Sequence, residues 1–181
     1  MGTTASGVRS LAFVLFALTA ASAAHADLVI GQTSGFTGPV ASGVKENTDG
    51  ARLYIDWVND TGGVNGQRVE LVSLDDKFDP KLAAENAKKL ITEKNAIALF
   101  LNRGTPHTEA IRPLLDQYKV ALVAPSTGAM ILHKPVHPWI FNVRATYQRE
   151  AEKAITHLAT IGRSEERRVG KECRSRWSPY H

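Results

Sequence analysis

Ala96-Ile97-Ala98-Leu99-Phe100-Leu101, followed at once by Asn102-Arg103-Gly104-Thr105-Pro106, decides the fold. An apolar run without alternation describes a strand covered on both faces, the habit of a parallel sheet; a half-solvated antiparallel strand would alternate. Parallel neighbours need crossover helices, and the sequence supplies one on each side. Upstream, Asp79-Pro80 reads as a helix start, because Asp79 can accept from orphan N–H groups and Pro80 is preset for the first helical position. Ala83, Ala87, Leu90 and Ile91 supply its buried face. Downstream, Ile111, Leu114, Leu115 and Tyr118 mark the next stripe, with Pro113 expected to kink that helix or delay its start.

Moving outward, Leu28-Val29-Ile30 is a first strand running into the small-residue loop Gln32-Thr33-Ser34-Gly35-Phe36-Thr37-Gly38-Pro39. Ala51, Tyr54, Ile55 and Val58 then lie on one helical stripe, stopped by Thr61-Gly62-Gly63. An Asn65-Gly66 turn leads to an alternating strand through Val69 and Leu71. Val120-Ala121-Leu122-Val123-Ala124 is a fourth strand, followed by the loop Pro125-Ser126-Thr127-Gly128-Ala129. Ile140-Phe141-Asn142-Val143 is a short fifth, and a last helix is expected over 147–158. Strands and helices alternating at this spacing predict an α/β fold with a doubly wound parallel sheet. No internal repeat or low-complexity linker interrupts it.

The two ends read differently. Residues 1–26 have Arg9, an apolar stretch from Leu11 to Leu18 and the small-residue close Ala24-His25-Ala26, the order of a secretory signal cut between Ala26 and Asp27. The apolar stretch falls short of the roughly 20 residues a membrane helix needs. Back-translated, residues 163–181 read as the in-frame translation of a common short-read sequencing adapter beginning AGATCGGAAGAGCG, so the natural protein is expected to continue past Gly162. A genuine basic tail is the competing reading. The chain's net charge of +4 comes from these ends, since residues 27–162 carry 15 basic and 15 acidic side chains. That neutrality removes the charge argument for a nucleic-acid partner. The single cysteine, Cys173, also lies outside the middle, which therefore has no disulfide framework, thiolate metal site or cysteine nucleophile.

In open α/β sheets ligands bind beyond the carboxyl ends of the strands, which singles out three loops: 34–43, 102–106 and 125–129. Their small and hydroxylic residues let backbone N–H groups approach a ligand, and a helix opening at Thr105 favours an anion. Composition alone leaves open whether Thr105 merely caps its helix and Ser126-Thr127-Gly128 merely turns. No Walker, dinucleotide or nucleophile-elbow motif is present, and no catalytic residue or cofactor is expected. Asp75, Asp76 and Asp79 read as solvated and capping rather than as metal ligands. His133 and His137 would share a metal only on a helix, which Pro135 and Pro138 oppose. His107 reads as a surface histidine.

Four stretches together resemble the type I periplasmic solute-binding proteins of branched-chain amino acid and related ABC uptake transporters. They are Thr37-Gly38-Pro39-Val40-Ala41 with Gly50-Ala51; Val58 through Gly66; Asp75-Asp76 with Asp79-Pro80 and Ala83; and Gly104-Thr105-Pro106 with Ala124 through Ala129. The resemblance spans nearly all of residues 27–162. It implies the first lobe of a two-lobed receptor that closes over a small ligand, an amino acid or organic acid, and docks on ABC permease subunits, with no bond chemistry and no nucleic acid. The matching ligand positions are Arg103, Gly104 and Thr105 after the third strand, and Ser126, Thr127 and Gly128 after the fourth. On the family pattern, Thr105 and nearby N–H groups take a carboxylate, while the Ser126 carbonyl and Thr127 hydroxyl take an ammonium. Two departures stand out: Ser42-Gly43 where an aromatic residue is common, and Arg103 where small hydroxylic residues are usual. Both leave room for a carboxylate-rich or aromatic acid. A periplasmic sensor lobe would use the same fold. Family members are more than twice as long, so the second half of the pocket is expected beyond Gly162.

Overall fold

The computed structural model describes residues 27–161; the expected export signal, its cleavage site and the segment 163–181 lie outside them. Five parallel strands run β1 (Leu28–Ser34), β2 (Val69–Asp75), β3 (Ala98–Phe100), β4 (Ala121–Val123) and β5 (Ile140–Phe141), in the spatial order β2-β1-β3-β4-β5. Helices α1 (Ala41–Asp60), α2 (Pro80–Thr92) and α3 (Thr105–Tyr118) make the crossovers, a 3-10 turn Met130–Leu132 stands between β4 and β5, and α4 (Tyr147–Thr160) follows the last strand.

Strand register sorts the side chains onto two faces, since paired residues point the same way. The row Gly31, Leu99, Leu122, Ile140 faces α2 and α3. Gly31 leaves no room for more: a methyl group there would lie 3.0 Å from Leu90 Cβ. Ala83, Ala87, Leu90, Ile111 and Leu115 complete this core, all fully buried. The opposite face carries the row Phe100, Val123, Phe141 and the row Ile30, Ala98, Ala121. Among the described residues only α1 lies on it, anchored where Gln32 Nε2 donates to Thr48 Oγ1 at 3.0 Å and where Asn59 exchanges two bonds with the backbone of Val69. Beside it runs an apolar groove of about 660 Å³, lined by Ile30, Ala51, Tyr54, Ile55, Val58 and Phe100 among others.

The expected helix starts and stripes are observed, with some differences. Asp79 caps α2 by accepting from Lys81 N at 2.7 Å, with Pro80 at the first position. The strands at 96–101 and 120–124 are shorter than their apolar runs, because Leu101 and Ala124 take left-handed backbone (φ 54° and 52°) that turns the chain out of the sheet. Pro113 does not delay α3, which begins at Thr105 and runs through it. The last helix forms as expected, as α4, but none of its residues is buried among the described residues, and Ile155 is 64% exposed.

Candidate functional site

The chain reverses direction across the sheet between β1 and β3, because β1 leads outward to β2 on one side and β3 leads to β4 on the other. At such a switch point the loops leaving neighbouring strands part and open a crevice at their carboxyl ends. Ser34, the last residue of β1, bridges it by donating from Oγ to the Leu101 carbonyl at 3.0 Å.

From Leu101 the left-handed turn sends the chain into Asn102-Arg103-Gly104, and the matching turn at Ala124 sends the β4 exit alongside it. Neither residue is glycine, so each holds a conformation that costs energy and that the surrounding bonds must enforce. Those bonds are visible: Ser126 N–H donates to the Asn102 carbonyl at 2.8 Å, and Arg103 and Ser126 form a parallel bridge. The Asn102 amide donates to Thr108 Oγ1 at 2.8 Å, and Thr108 in turn donates to the Gly104 carbonyl, so the loop is fixed to the first turn of α3.

All six residues singled out by sequence meet here. Gly104 caps α3 at φ 103°, and a Cβ on it would stand 2.5 Å from His107 Nδ1. Thr105 Oγ1 lies 2.7 Å from Thr127 Oγ1, joining the β3 and β4 exits through two hydroxyls. Thr127 is 1% exposed and also meets Tyr147 Oη at 3.1 Å and the Ala129 N–H at 3.3 Å, which uses its full hydrogen-bonding capacity. Gly128 receives Tyr147 N–H at its carbonyl, and a side chain there would collide with the Ala145 carbonyl. Arg103 lines a narrow crevice, too tight for a water-sized sphere, with Gln32, Val44, Asn47, Leu101 and Ser126. α3 carries no side-chain cap and no acidic residue in its first turn, so no protein carboxylate claims its leading N–H groups there.

The first loop is shaped by the two aspartates after β2. Asp75 accepts from the Phe36 and Lys77 N–H groups at 2.9 Å and from Thr37 Oγ1 at 2.7 Å. Desolvation would raise its pKa, but the Thr37 hydroxyl and the Lys77, Thr37 and Phe36 N–H groups together hold it below the ordinary aspartate value. Asp76 goes the other way: burial raises it, outweighing the bonds from Phe78 N–H and the Thr33 hydroxyl. Both carboxylates thus serve the architecture of the loop. His137 pairs with Asp116 at 3.3 Å, and among the described residues no cluster of His, Cys, Asp and Glu suits a metal.

Three participants escaped sequence reasoning. Gln32 is buried at the switch point, where its side-chain carbonyl also accepts from Ser73 Oγ at 2.8 Å. Tyr147, read only as the start of a helix, reaches back to Thr127; that bond, ahead of the opposing effect of burial, lowers its phenol pKa. His107 is not on the surface but 2% exposed, stacked on Phe78 at 4.5 Å, with neither ring nitrogen bonded. Only a spatial register could have signalled these contacts.

Comparison with known proteins agrees with this picture. The family described as "Periplasmic binding protein" matches residues 27–169. A Leu/Ile/Val-binding protein homolog from Brucella melitensis is 36% identical over 150 residues, covering 81% of this chain and 39% of that protein. The crystal structure of a substrate-binding periplasmic protein from Ralstonia solanacearum superposes with a TM-score of 0.69 at 35% identity, over 75% of this chain and 38% of the other. A branched-chain amino acid transporter substrate-binding protein from Streptococcus pneumoniae, solved with isoleucine, gives a TM-score of 0.62 at 25% identity over 66% and 34%. The chain therefore spans about two fifths of the length of the first two of these relatives. With its parallel sheet, its switch-point loops and a family match over most of its length, the chain belongs to the periplasmic binding proteins.

Proposed function

We propose that the chain is the first lobe of the substrate-binding component of an ABC uptake transporter. In this reading residues 1–26 direct export, cleavage falls between Ala26 and Asp27, and the protein captures an amino acid or related small carboxylate in the periplasm for delivery to permease subunits. The observation that carries it is the meeting of the β3 and β4 exits, with Thr105 and Thr127 at 2.7 Å beside an uncapped, acid-free helix start. The Thr105 hydroxyl and the N–H groups of the helix start suit reversible capture of a carboxylate, while Thr127, buried and fully bonded, holds Thr105 in place instead of offering the hydroxyl expected of it; among the described residues no activated nucleophile stands beside them. The relatives' names, Leu/Ile/Val-binding and branched-chain amino acid transporter, support the ligand class and the transport setting.

The half-site is small. The crevice beside Arg103 has no room for even a water-sized sphere, against the roughly 300–1,000 Å³ of sites that enclose a ligand, so the reading requires a second lobe to complete the pocket. Reading genomic DNA outward from the codons of residues 151–160 tests that requirement and the assignment of residues 163–181. Calorimetric titration of the full-length product with amino acids and small organic acids tests capture. At least one should bind, and Thr105→Val should weaken it about tenfold or more, the worth of a hydrogen bond to a charged group. Absence of binding to every compound would sink the proposal.

A further inference from the structure

Arg103 stands in the switch-point crevice with no ion pair and no hydrogen bond to any described residue, whereas Arg144 is held by Glu150 at 2.7 Å. Its guanidinium lies against the first turn of α1, where a methyl group on Gly43 would approach Nη1 at 3.3 Å. Neither α1 nor α3, whose first turns flank the crevice, places an acidic residue in that turn. Of the carboxylates on the elements around the crevice, Asp75 and Asp76 are taken up by loop N–H groups and threonines, and Glu46, one turn along α1 from Gly43, accepts from Ser42 Oγ at 3.2 Å. The other lining groups, Gln32, Asn47 and Ser126, are neutral. The crevice therefore presents a fork of guanidinium donors that no carboxylate among the described residues meets within ion-pair distance.

We propose that Arg103 is a specificity-determining residue that pairs with a carboxylate of the ligand, so that the lobe selects a small acid of net negative charge, a diacid or an acidic amino acid, over a zwitterion with an aliphatic side chain. The inference rests on the capture reading above. A guanidinium recognises carboxylate through two parallel bonds, and a ligand that leaves it unpaired on closure forfeits them and strands a desolvated charge. An aliphatic side chain offers it nothing.

The test is calorimetric titration of the full-length protein with L-leucine, L-glutamine, L-glutamate, aliphatic diacids of three to eight carbons and benzene dicarboxylic acids. The wild type should bind at least one of the acidic compounds about tenfold or more tightly than leucine or glutamine, the scale of discrimination set by a satisfied against an unpaired charge. Arg103→Ala should bring that ratio down to about one, and Arg103→Lys should restore part of it, because a point charge keeps the attraction without the fork. Should the alanine variant not fold, Arg103→Gln and the wild-type ratio carry the comparison. Leucine bound as tightly as every acid, or a ratio unmoved by the substitutions, overturns the role of Arg103 while leaving capture intact. Failure of the wild type to bind any compound overturns both.

Discussion

Gly104 is the residue on which the site's geometry turns. It caps α3 at a φ that L residues rarely adopt, and His107 fills the space a side chain would need. Gly104→Ala should cost about 2 kcal/mol or more in urea unfolding, adding backbone strain to the collision. Asp75 gives a pH signature. Its folded pKa is depressed, so the stability it contributes is present above the unfolded value of about 3.9 and lost as pH falls through the folded value. Asp75→Asn should flatten that acid limb when stability is followed against pH. Asp76, with a raised folded pKa, contributes with the opposite sign, and its asparagine variant should not reproduce the effect. The loops 102–106 and 125–129 were legible as candidates because they leave strand ends, and the family resemblance is what singled out Arg103, Gly104, Thr105, Ser126, Thr127 and Gly128 within them. Gln32 and Tyr147 were not, since the sequence places Gln32 in a loop whereas β1 runs on to Ser34 and buries it, and Tyr147 meets Thr127 only through the fold.

At the level of elements, local chemistry was a good guide wherever it acts within one turn. Asp79-Pro80 specified the start of α2, and the unalternating run at 96–101 specified a central parallel strand. Strand ends were harder to read: the left-handed turns at Leu101 and Ala124 occur at residues with no intrinsic preference for them, and are imposed by the Arg103–Ser126 bridge and its neighbours. Helical periodicity placed α4 correctly, but periodicity alone says nothing of burial, and no residue of this helix is buried. The contrast can be measured. Leu90→Ala, in a fully buried position between α2 and the sheet, should cost about 2–5 kcal/mol, whereas Ile155→Ala should fall within about 0.5 kcal/mol of neutral. Hydrogen exchange should follow the same order, slow in α2 and α3 and fast along α4.

For the molecule as a whole, the two sheet faces are unequal. One is sealed by α2 and α3; the other offers Phe141 at 54% exposure and Val143 at 78% beyond the edge of α1. Residues 27–162 produced alone should therefore bind a hydrophobic dye and self-associate, visible as a concentration-dependent sedimentation coefficient. The same segment should give no calorimetric signal with amino acids or diacids at micromolar concentration, because the proposed site needs a second lobe to enclose its ligand. The uncovered face also bears on how unfolding will look. Denaturant slope and heat-capacity change both scale with the surface newly exposed, and this segment already shows part of its apolar surface to water while folded. Its urea transition should be broad and its stability curve shallow in temperature for a chain of this size, so variants are better ranked by free energies from a shared slope than by midpoints alone.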